Sequence, residues 1–276
     1  MNLSHIYPPR SAWTHKGEHG YVLILAGSKR YSGSPVFNAI SALRAGADLI
    51  HCVGPERAMN IAAGFLPDII TVPLPGDILR PKHIAFILKL ASKFDSIILG
   101  SGLGRASETF KAIQEIVAKI DLPMAIDADG IRALAPKKEI IKGKNIVLTP
   151  HLVEFEILTG QKVKSEVEDR KEKVKKWAEN LGCTILLKGH IDVISDGKEV
   201  AVEKAGSPYM TAGGMGDTLT GILGAILARK VNPWEAAQAA AFINGKAGEL
   251  AAKKYGEGVL ASDIFDFIPE VIKKYT

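Results

Sequence analysis

Cysteine is scarce: only Cys52 and Cys183 occur in 276 residues, and neither has a CxxC partner. That spacing argues against a metal or redox centre built on thiols. Both cysteines sit in apolar, β-like runs ("LIHCVG", "CTILLKG") and are expected to be buried as small hydrophobes. No stretch of about 18 uncharged apolar residues is present, so no membrane-spanning helix is expected. The first residues, "MNLSHIYPPRSAW", lack the basic-then-apolar pattern of a secretory signal, which leads to the expectation of a cytoplasmic protein. There is no segment rich in Gly, Pro or Ser between the periodic stretches, and no internal repeat. One domain over residues 1–276 is expected.

Several chemical motifs are also missing. "AGSKRYSG" places a lysine after a glycine but does not match the G-x-x-x-x-G-K-[ST] phosphate loop. "GSGLGR" follows a strand-like run, yet Arg105 stands where the dinucleotide fingerprint needs Gly or Ala. There is no G-x-S-x-G and no His/Cys set at metal-ligand spacing, so neither a serine hydrolase nor a zinc site is supported. The net charge of +5 raises nucleic acid as a partner. Many of the lysines, however, lie in "KVKSEVEDRKEKVKKWAEN", interleaved with acids as on a solvated helix face. No nucleic-acid-binding motif accompanies them, and no nucleic-acid partner is expected.

What is present is an alternation of short apolar runs and helical segments. "YVLILAG", "DLIHCVG", "DIITVPL", "DSIILGS", "PMAIDAD", "NIVLTP" and "CTILLKG" are mostly continuous rather than alternating in apolarity. Strands buried on both faces of a parallel sheet have that pattern. Helical stretches such as "SPVFNAISALRAGA", "PKHIAFILKLASKF" and "SETFKAIQEIVAKI" lie between them. The fold class predicted is α/β, a doubly wound, mostly parallel central sheet with helices on both faces. "IDVISDGKEVAVEK" reads as a hairpin turning at Asp196-Gly197, and everything from Asp217 onward reads as helical. One late helix begins at Pro233 and stops at Gly256. Its small residues suit packing on the core or against a second subunit.

Small and polar residues gather directly after the strands: "AGSKRYSGS", "GSGLGR", "DADG", "TPHLVE" and "KGHID". In an open α/β sheet, ligands bind beyond the carboxyl ends of the strands, so five such loops predict a ligand crevice. Near the end of the chain, "TAGGMGDTLTG" sets glycines and a single acid before an apolar helix. It reads either as a tight turn with Asp217 capping the helix, or as an anion cradle with Asp217 beside a reacting group. His151 either caps the helix it precedes or hydrogen-bonds a ligand. Asp127 and Asp129 are either turn residues or supports for Mg²⁺ through water.

"AGSKRYSGSPVFNAISALRAGADLI", "LGSGLG", "IDADGIRAL", "LTPH..EF", "LLKG" and "SPYMTAGGMGDTLTGILGAILA" occur in order. Together they resemble the ADP- or ATP-dependent NAD(P)H-hydrate dehydratases of the ribokinase-like superfamily, from about Lys16 to the last helix. The resemblance implies a lyase that repairs the S-epimer of hydrated NADH or NADPH. The nucleotide phosphorylates the ring hydroxyl and phosphate then leaves, giving AMP from ADP or ADP from ATP. It implies that Asp217 is the catalytic base, and that Gly214, Met215 and Gly216 offer backbone N–H groups to the phosphoryl. Lys188, Gly189, His190, Ile191 and Asp192, with Gly216, would contact the nucleotide. Ser34, Gly104, His151 and Asp217 would hold the hydrated dinucleotide. Mg²⁺ is the implied metal, and a homo-oligomer, with a tetramer among its arrangements, the implied assembly. The family more often has alanine at Ser34 and "PHPGE" where this chain has "PHLVE". A small-molecule kinase of the same superfamily, acting on a vitamin precursor or sugar alcohol, is the competing reading.

Overall fold

Seven apolar runs become parallel strands, most of them buried on both sides and the one at the sheet edge, Ile70–Leu74, partly exposed. In the computed structural model, which describes residues 1–276, these are β1 (Tyr21–Leu25), β2 (Leu49–Pro55), β3 (Ile70–Leu74), β4 (Ser96–Leu99), β5 (Met124–Ile126), β6 (Ile146–Leu148) and β7 (Thr184–Leu187). The hairpin adds β8 (Asp192–Ser195) and β9 (Val200–Glu203). The sheet runs in the order β3-β2-β1-β4-β5-β6-β7-β8-β9, parallel as far as β7 and antiparallel across the hairpin. At the hairpin tip Gly197 has φ +93°, and the Asp196 carboxylate accepts from the amides of Lys198 and Glu199. The turn is therefore where the Asp-Gly pair predicts it.

Alternate strand residues point to opposite layers. Val22, Ile24, Ile50, Ile98, Val147 and Leu186 face one core, while Leu23, Leu25, Ile97, Leu99, Leu148 and Leu187 face the other. The first core is covered by α1 (Ser34–Arg44), α2 (Glu56–Ala63), α8 (Met215–Ala228), α9 (Pro233–Tyr255) and α10 (Phe267–Tyr275). The second is covered by α3 (Ile84–Ala91), α4 (Ser107–Lys119), α5 (Asp129–Leu134), α6 (Leu152–Thr159) and α7 (Val167–Leu181). The doubly wound prediction describes this arrangement. The sequence reading marks no helix over Glu56–Ala63, although its buried Ala58, Met59 and Ala62 lie at helical spacing; the segment is only eight residues long and follows β2 with no intervening loop. Both cysteines are buried, as expected.

α8 is the helix that matters for function, and it is almost wholly internal, with 12 buried residues. Two glycines let it sit so deep. A Cβ at Gly221 would lie 2.5 Å from the Asn38 carbonyl oxygen of α1, and one at Gly224 would lie 2.4 Å from Ile98 of β4. The small-residue helix α9 packs into the same core, burying Ala236, Ala240, Ala247 and Ala251. No helix is long and apolar enough to cross a membrane.

Candidate active site

The sheet order reverses direction between β1 and β4, and the loops after β1, β4, β5, β6 and β7 all leave from the same edge. That edge is the crevice the polar loops predict. The first turn of α8 enters it. Gly214, at φ +101°, is the residue preceding the helix, and of the three glycines in "GGMG" it alone has positive φ. Asp217 is accordingly the third helical residue and not the cap, which removes the simplest of the alternative readings of this acid. The Thr218 amide returns to the Gly214 carbonyl at 2.9 Å, and the Met215 amide reaches Ala212 only at 3.5 Å. The amides of Gly216 and Asp217 donate to no group in the chain. Unpaired N–H groups and the positive end of the helix dipole thus face the crevice, as an anion site requires.

Polar groups following three strands close around this turn. Lys188, following β7, donates to Asp127, following β5, at 2.7 Å. Thr149, following β6, donates to the same Asp127 oxygen at 2.9 Å. A Cβ on Gly216 would lie 3.1 Å from Lys188 Nζ and 3.4 Å from Asp127 Oδ2. The missing side chain therefore brings the ion pair against the helix amides. Burial pushes the Lys188 ammonium toward losing its proton, but Asp127, Glu154 and Asp217 outweigh burial and hold its pKa above the ordinary value.

Asp217 is half-buried in α8, and its pKa is raised from 3.8 to about 7. Burial is the main cause and the nearby Asp127 adds to it; Ser34, Ser101 and Lys188 pull the other way. The Asn38 amide donates to the Asp217 carbonyl at 2.8 Å and fixes the main chain beneath the carboxyl. A carboxyl titrating near 7 can hold or release a proton at working pH, which is what a general base needs.

On the β7–β8 side, Lys188 to Asp192 form one turn: Asp192 accepts from the Gly189 amide at 2.8 Å. Burial raises Asp192 to about 6, against the lowering effects of that amide and of Arg170. Arg170 of α7 is 5% exposed and donates to the carbonyls of Leu187 and Lys188. Its guanidinium lies only 2.5 Å from where a Gly189 Cβ would be, so the loop is braced from below. His190 stays exposed and Ile191 half-buried at the tip.

On the β1–β4 side, Ser34 opens α1, and its Oγ lies 2.9 Å from where a Gly102 Cβ would be. Gly104, at φ +83°, donates its amide to Asp129 at 2.8 Å, and Arg105 donates to the other oxygen of that carboxylate at 3.2 Å. Both oxygens of Asp129 are therefore engaged in holding the β4 loop. After β6, next to the Lys188 turn, His151 is the cap of α6: its Nδ1 accepts from the amides of Val153 and Glu154, and Glu154 accepts from the His151 amide at 3.0 Å. Its ring is nonetheless about half exposed at the crevice. Buried Glu154 has a raised pKa, from burial first and then from Asp127. No group of three or more His, Cys, Asp or Glu residues gathers as a metal cage.

The structure thus brings Asp127, Lys188, Gly216 and Asp217 together. It places Asp129 with Gly104, His151 with Glu154, and Ser34 beside Gly102. Sequence reasoning missed Asn38, Ser101, Thr149, Glu154 and Arg170 as members of this assembly. Thr149 and Glu154 flank His151 in a quoted motif and were within reach. Arg170 sits in a lysine-rich solvated stretch and gives no local signal.

Comparisons with known proteins identify the family. A family model described as NAD(P)H-hydrate dehydratase matches residues 22–270. A bifunctional NAD(P)H-hydrate repair enzyme of Pyrobaculum aerophilum is 44% identical over 268 residues, 96% of this chain and 53% of that protein. An ADP-dependent (S)-NAD(P)H-hydrate dehydratase of Cenarchaeum symbiosum is 37% identical over 269 residues, 97% of this chain and 93% of that protein. Among solved structures, an ADP/ATP-dependent NAD(P)H-hydrate dehydratase from Bacillus subtilis, co-crystallised with ATP/Mg²⁺, superimposes with a TM-score of 0.83. It is 28% identical, covering 99% of this chain and 97% of that one. The fold is ribokinase-like. The chain spans about half the length of the curated bifunctional relatives it matches.

Proposed function

The chain belongs to the NAD(P)H-hydrate dehydratase family, and we propose that it uses ADP or ATP to dehydrate the S-epimer of hydrated NADH or NADPH. The observation that carries the proposal is Asp217: a carboxyl poised near pH 7, at a helix N-terminus with free amides, beside a lysine. In this reading Asp217 takes the proton from the ring hydroxyl as the phosphoryl group arrives from the nucleotide. The amides of Gly216 and Asp217, with Lys188, face the charge that develops on the phosphoryl oxygens, and Gly214 and Met215 shape the turn that presents them. The ring nitrogen lone pair then expels phosphate by breaking the C–O bond. Loss of a proton from the adjacent carbon restores the double bond, leaving NAD(P)H, phosphate, and AMP or ADP.

Lys188–Asp192 is assigned to the nucleotide, and Ser34, Gly104 and His151 to the hydrated dinucleotide. Ser34 and Gly104 follow β1 and β4, at the switch point and away from the Lys188 turn, while His151 adjoins that turn, since the Lys188 amide donates to the Pro150 carbonyl at 2.9 Å. Mg²⁺, the implied metal, usually keeps water and phosphate ligands with only one or two carboxylates. Asp127, with one oxygen turned toward Gly216, fits that demand; Asp129, with both oxygens engaged by Gly104 and Arg105, and Glu154, with both engaged by His151, do not. The ion would supply charge neutralisation at the phosphates. A cytoplasmic homo-oligomer acting on these small molecules completes the reading.

The test is incubation with hydrated NADH plus ADP or ATP, following recovery of reduced-nicotinamide absorbance. Recovery dependent on the nucleotide is the expected result. A stable phosphorylated small molecule, with no restored nicotinamide, would instead identify a kinase.

A further inference from the structure

Beyond Gly104 the crevice continues into a cleft of about 380 Å³, bounded by Ser28, Lys29, Arg30, Tyr31, Gly104 and Arg105. Three cations line it. Lys29 is paired with Asp77 at 3.0 Å and Arg105 with Asp129 at 3.2 Å. Arg30 has no carboxylate partner; its guanidinium lies 5.4 Å from the centre of the Tyr31 ring. An aromatic face can steady the guanidinium plane while leaving its N–H edges free for a planar or tetrahedral anion.

The loop carrying Arg30 is held at several points. The Gly27 amide donates to Ser101 at 2.9 Å, Ser28 to Tyr31 at 2.9 Å, and Lys29 to Asp77 at 3.0 Å, while Arg57 donates to the Lys29 carbonyl. An unpaired arginine on a loop this well tied is a built feature of the cleft wall.

The cleft is not the nucleotide donor's place. It lies beside the ends of β1 and β4, whereas the Lys188–Asp192 turn follows β7, three strands farther along the sheet. At roughly 4.8 Å per strand, the two are separated by about 14 Å. The cleft shares Gly104 and Asp129 with the side assigned to the hydrated dinucleotide. A dinucleotide whose nicotinamide ring reaches Asp217 must send its other half past Gly104, along this wall.

We propose that the cleft receives the adenosine end of the hydrated dinucleotide and that Arg30 binds the ribose 2′-phosphate, making it the residue that favours hydrated NADPH over hydrated NADH. The inference rests on the function proposed above. A phosphate is the favoured ligand because it accepts two N–H bonds from one guanidinium, and such charge-assisted contacts are the strong ones. The pyrophosphate shared by both dinucleotides is the other phosphate that the cleft could meet, and comparing the two substrates separates them.

The experiment measures repair of both hydrates, together with binding of NADPH and NADH by fluorescence titration with ADP at saturation to fill the donor site. Wild type, Arg30→Ala and Arg30→Lys are compared. Arg30 is exposed, so the variants fold. Arg30→Ala should weaken NADPH binding and raise KM for hydrated NADPH by about tenfold or more, the scale of losing one charge-assisted contact. NADH and its hydrate should change by less than about twofold. Arg30→Lys should recover part of the loss, because it restores the charge without the fork. Equal losses for both dinucleotides would assign Arg30 to the pyrophosphate and overturn the proposal, as would no loss for either. If wild type repairs neither hydrate with either nucleotide, the proposed function itself fails, and the assignment of the cleft falls with it.

Discussion

Replacing Asp217 by Asn tests the site because activity and stability should move in opposite directions. The carboxyl's pKa is raised from 3.8 to about 7, chiefly by burial and by Asp127. In the unfolded chain the group is ionised above about pH 4, while in the fold it keeps its proton up to about 7. Between those values the folded state binds more protons, so this group's contribution to stability falls as pH rises. Roughly three pKa units at about 1.4 kcal/mol each set a ceiling of about 4 kcal/mol by pH 8. Asparagine is neutral at every pH and escapes that penalty. It forfeits the favourable placing of an anion in the first turn of α8, about 0.3–1 kcal/mol, and part of the contact with Ser34 and Ser101. A net gain of about 2 kcal/mol at pH 8, shrinking toward zero at pH 4, is the expected difference in urea unfolding between variant and parent. Turnover should meanwhile drop by about 10²-fold or more, because asparagine cannot accept the hydroxyl proton. The parent's own turnover should decline as pH falls through about 7, where Asp217 gains its proton. A variant that repairs hydrated NADH at near the parent rate would refute the assignment of the base. A variant that is less stable at pH 8 than at pH 4, relative to the parent, would refute the account of the raised pKa.

His151 serves as a cap in the fold and is assigned to the substrate in the reaction, and two substitutions separate these roles. His151→Asn keeps a capping oxygen and His151→Ala does not, so only alanine should lose about 1 kcal/mol in thermal unfolding, while both should raise KM for hydrated NADH with nucleotide KM unchanged. Arg170→Ala should unbrace the turn after β7 and raise nucleotide KM by about tenfold, leaving KM for the hydrate nearly constant, since its guanidinium meets Leu187–Gly189 and its charge acts on Asp192 of the same turn. Gly224→Ala should destabilise by about 1–3 kcal/mol, read as a lowered Tm, because the new Cβ would lie 2.4 Å from Ile98.

The layers and the crevice were legible because they rest on local pattern. Continuous apolar runs such as "YVLILAG" and "DSIILGS" mark strands covered on both faces. The glycine-rich turn before Asp217 marks where α8 begins, and the loops after five parallel strands share an edge by topology alone. The contacts that make a crevice into a site were not legible in the same way. Lys188 and Asp127 are 61 positions apart and meet at 2.7 Å only because β5 and β7 flank β6 in register. Arg170 reaches the loop after β7 from inside a helix whose sequence advertises solvent. Asp217 reads as a plausible helix cap until Gly214 is seen to occupy that position with φ +101°. Whether a buried polar residue braces the site or touches its ligand depends on such long-range placement, and periodicity carries no information about it.

The turn "DADG" shows how one short motif serves both sides of the crevice. Asp127 points to Lys188 and Gly216, while Asp129, two residues on, points to Gly104 and Arg105. Here Ala128 adopts φ +49°, ψ −117°, a conformation alanine rarely tolerates, and the Gly130 amide closes the turn on the Asp127 carbonyl at 2.9 Å. The strain is on the order of 1–3 kcal/mol. It is held by close packing, since a Cβ on Gly100 would lie 2.0 Å from the Asp127 carbonyl oxygen and one on Gly130 would lie 2.8 Å from Ile126. Neither glycine has room for a side chain, so β4 and α5 press directly on the turn and keep Ala128 in place. The carboxylate that meets Lys188 and the carboxylate that meets Gly104 are thereby fixed by a single rigid backbone element. In the function proposed above, that element would position the donor phosphate and the acceptor hydroxyl relative to one another, and proximity of that kind is what such a transfer demands.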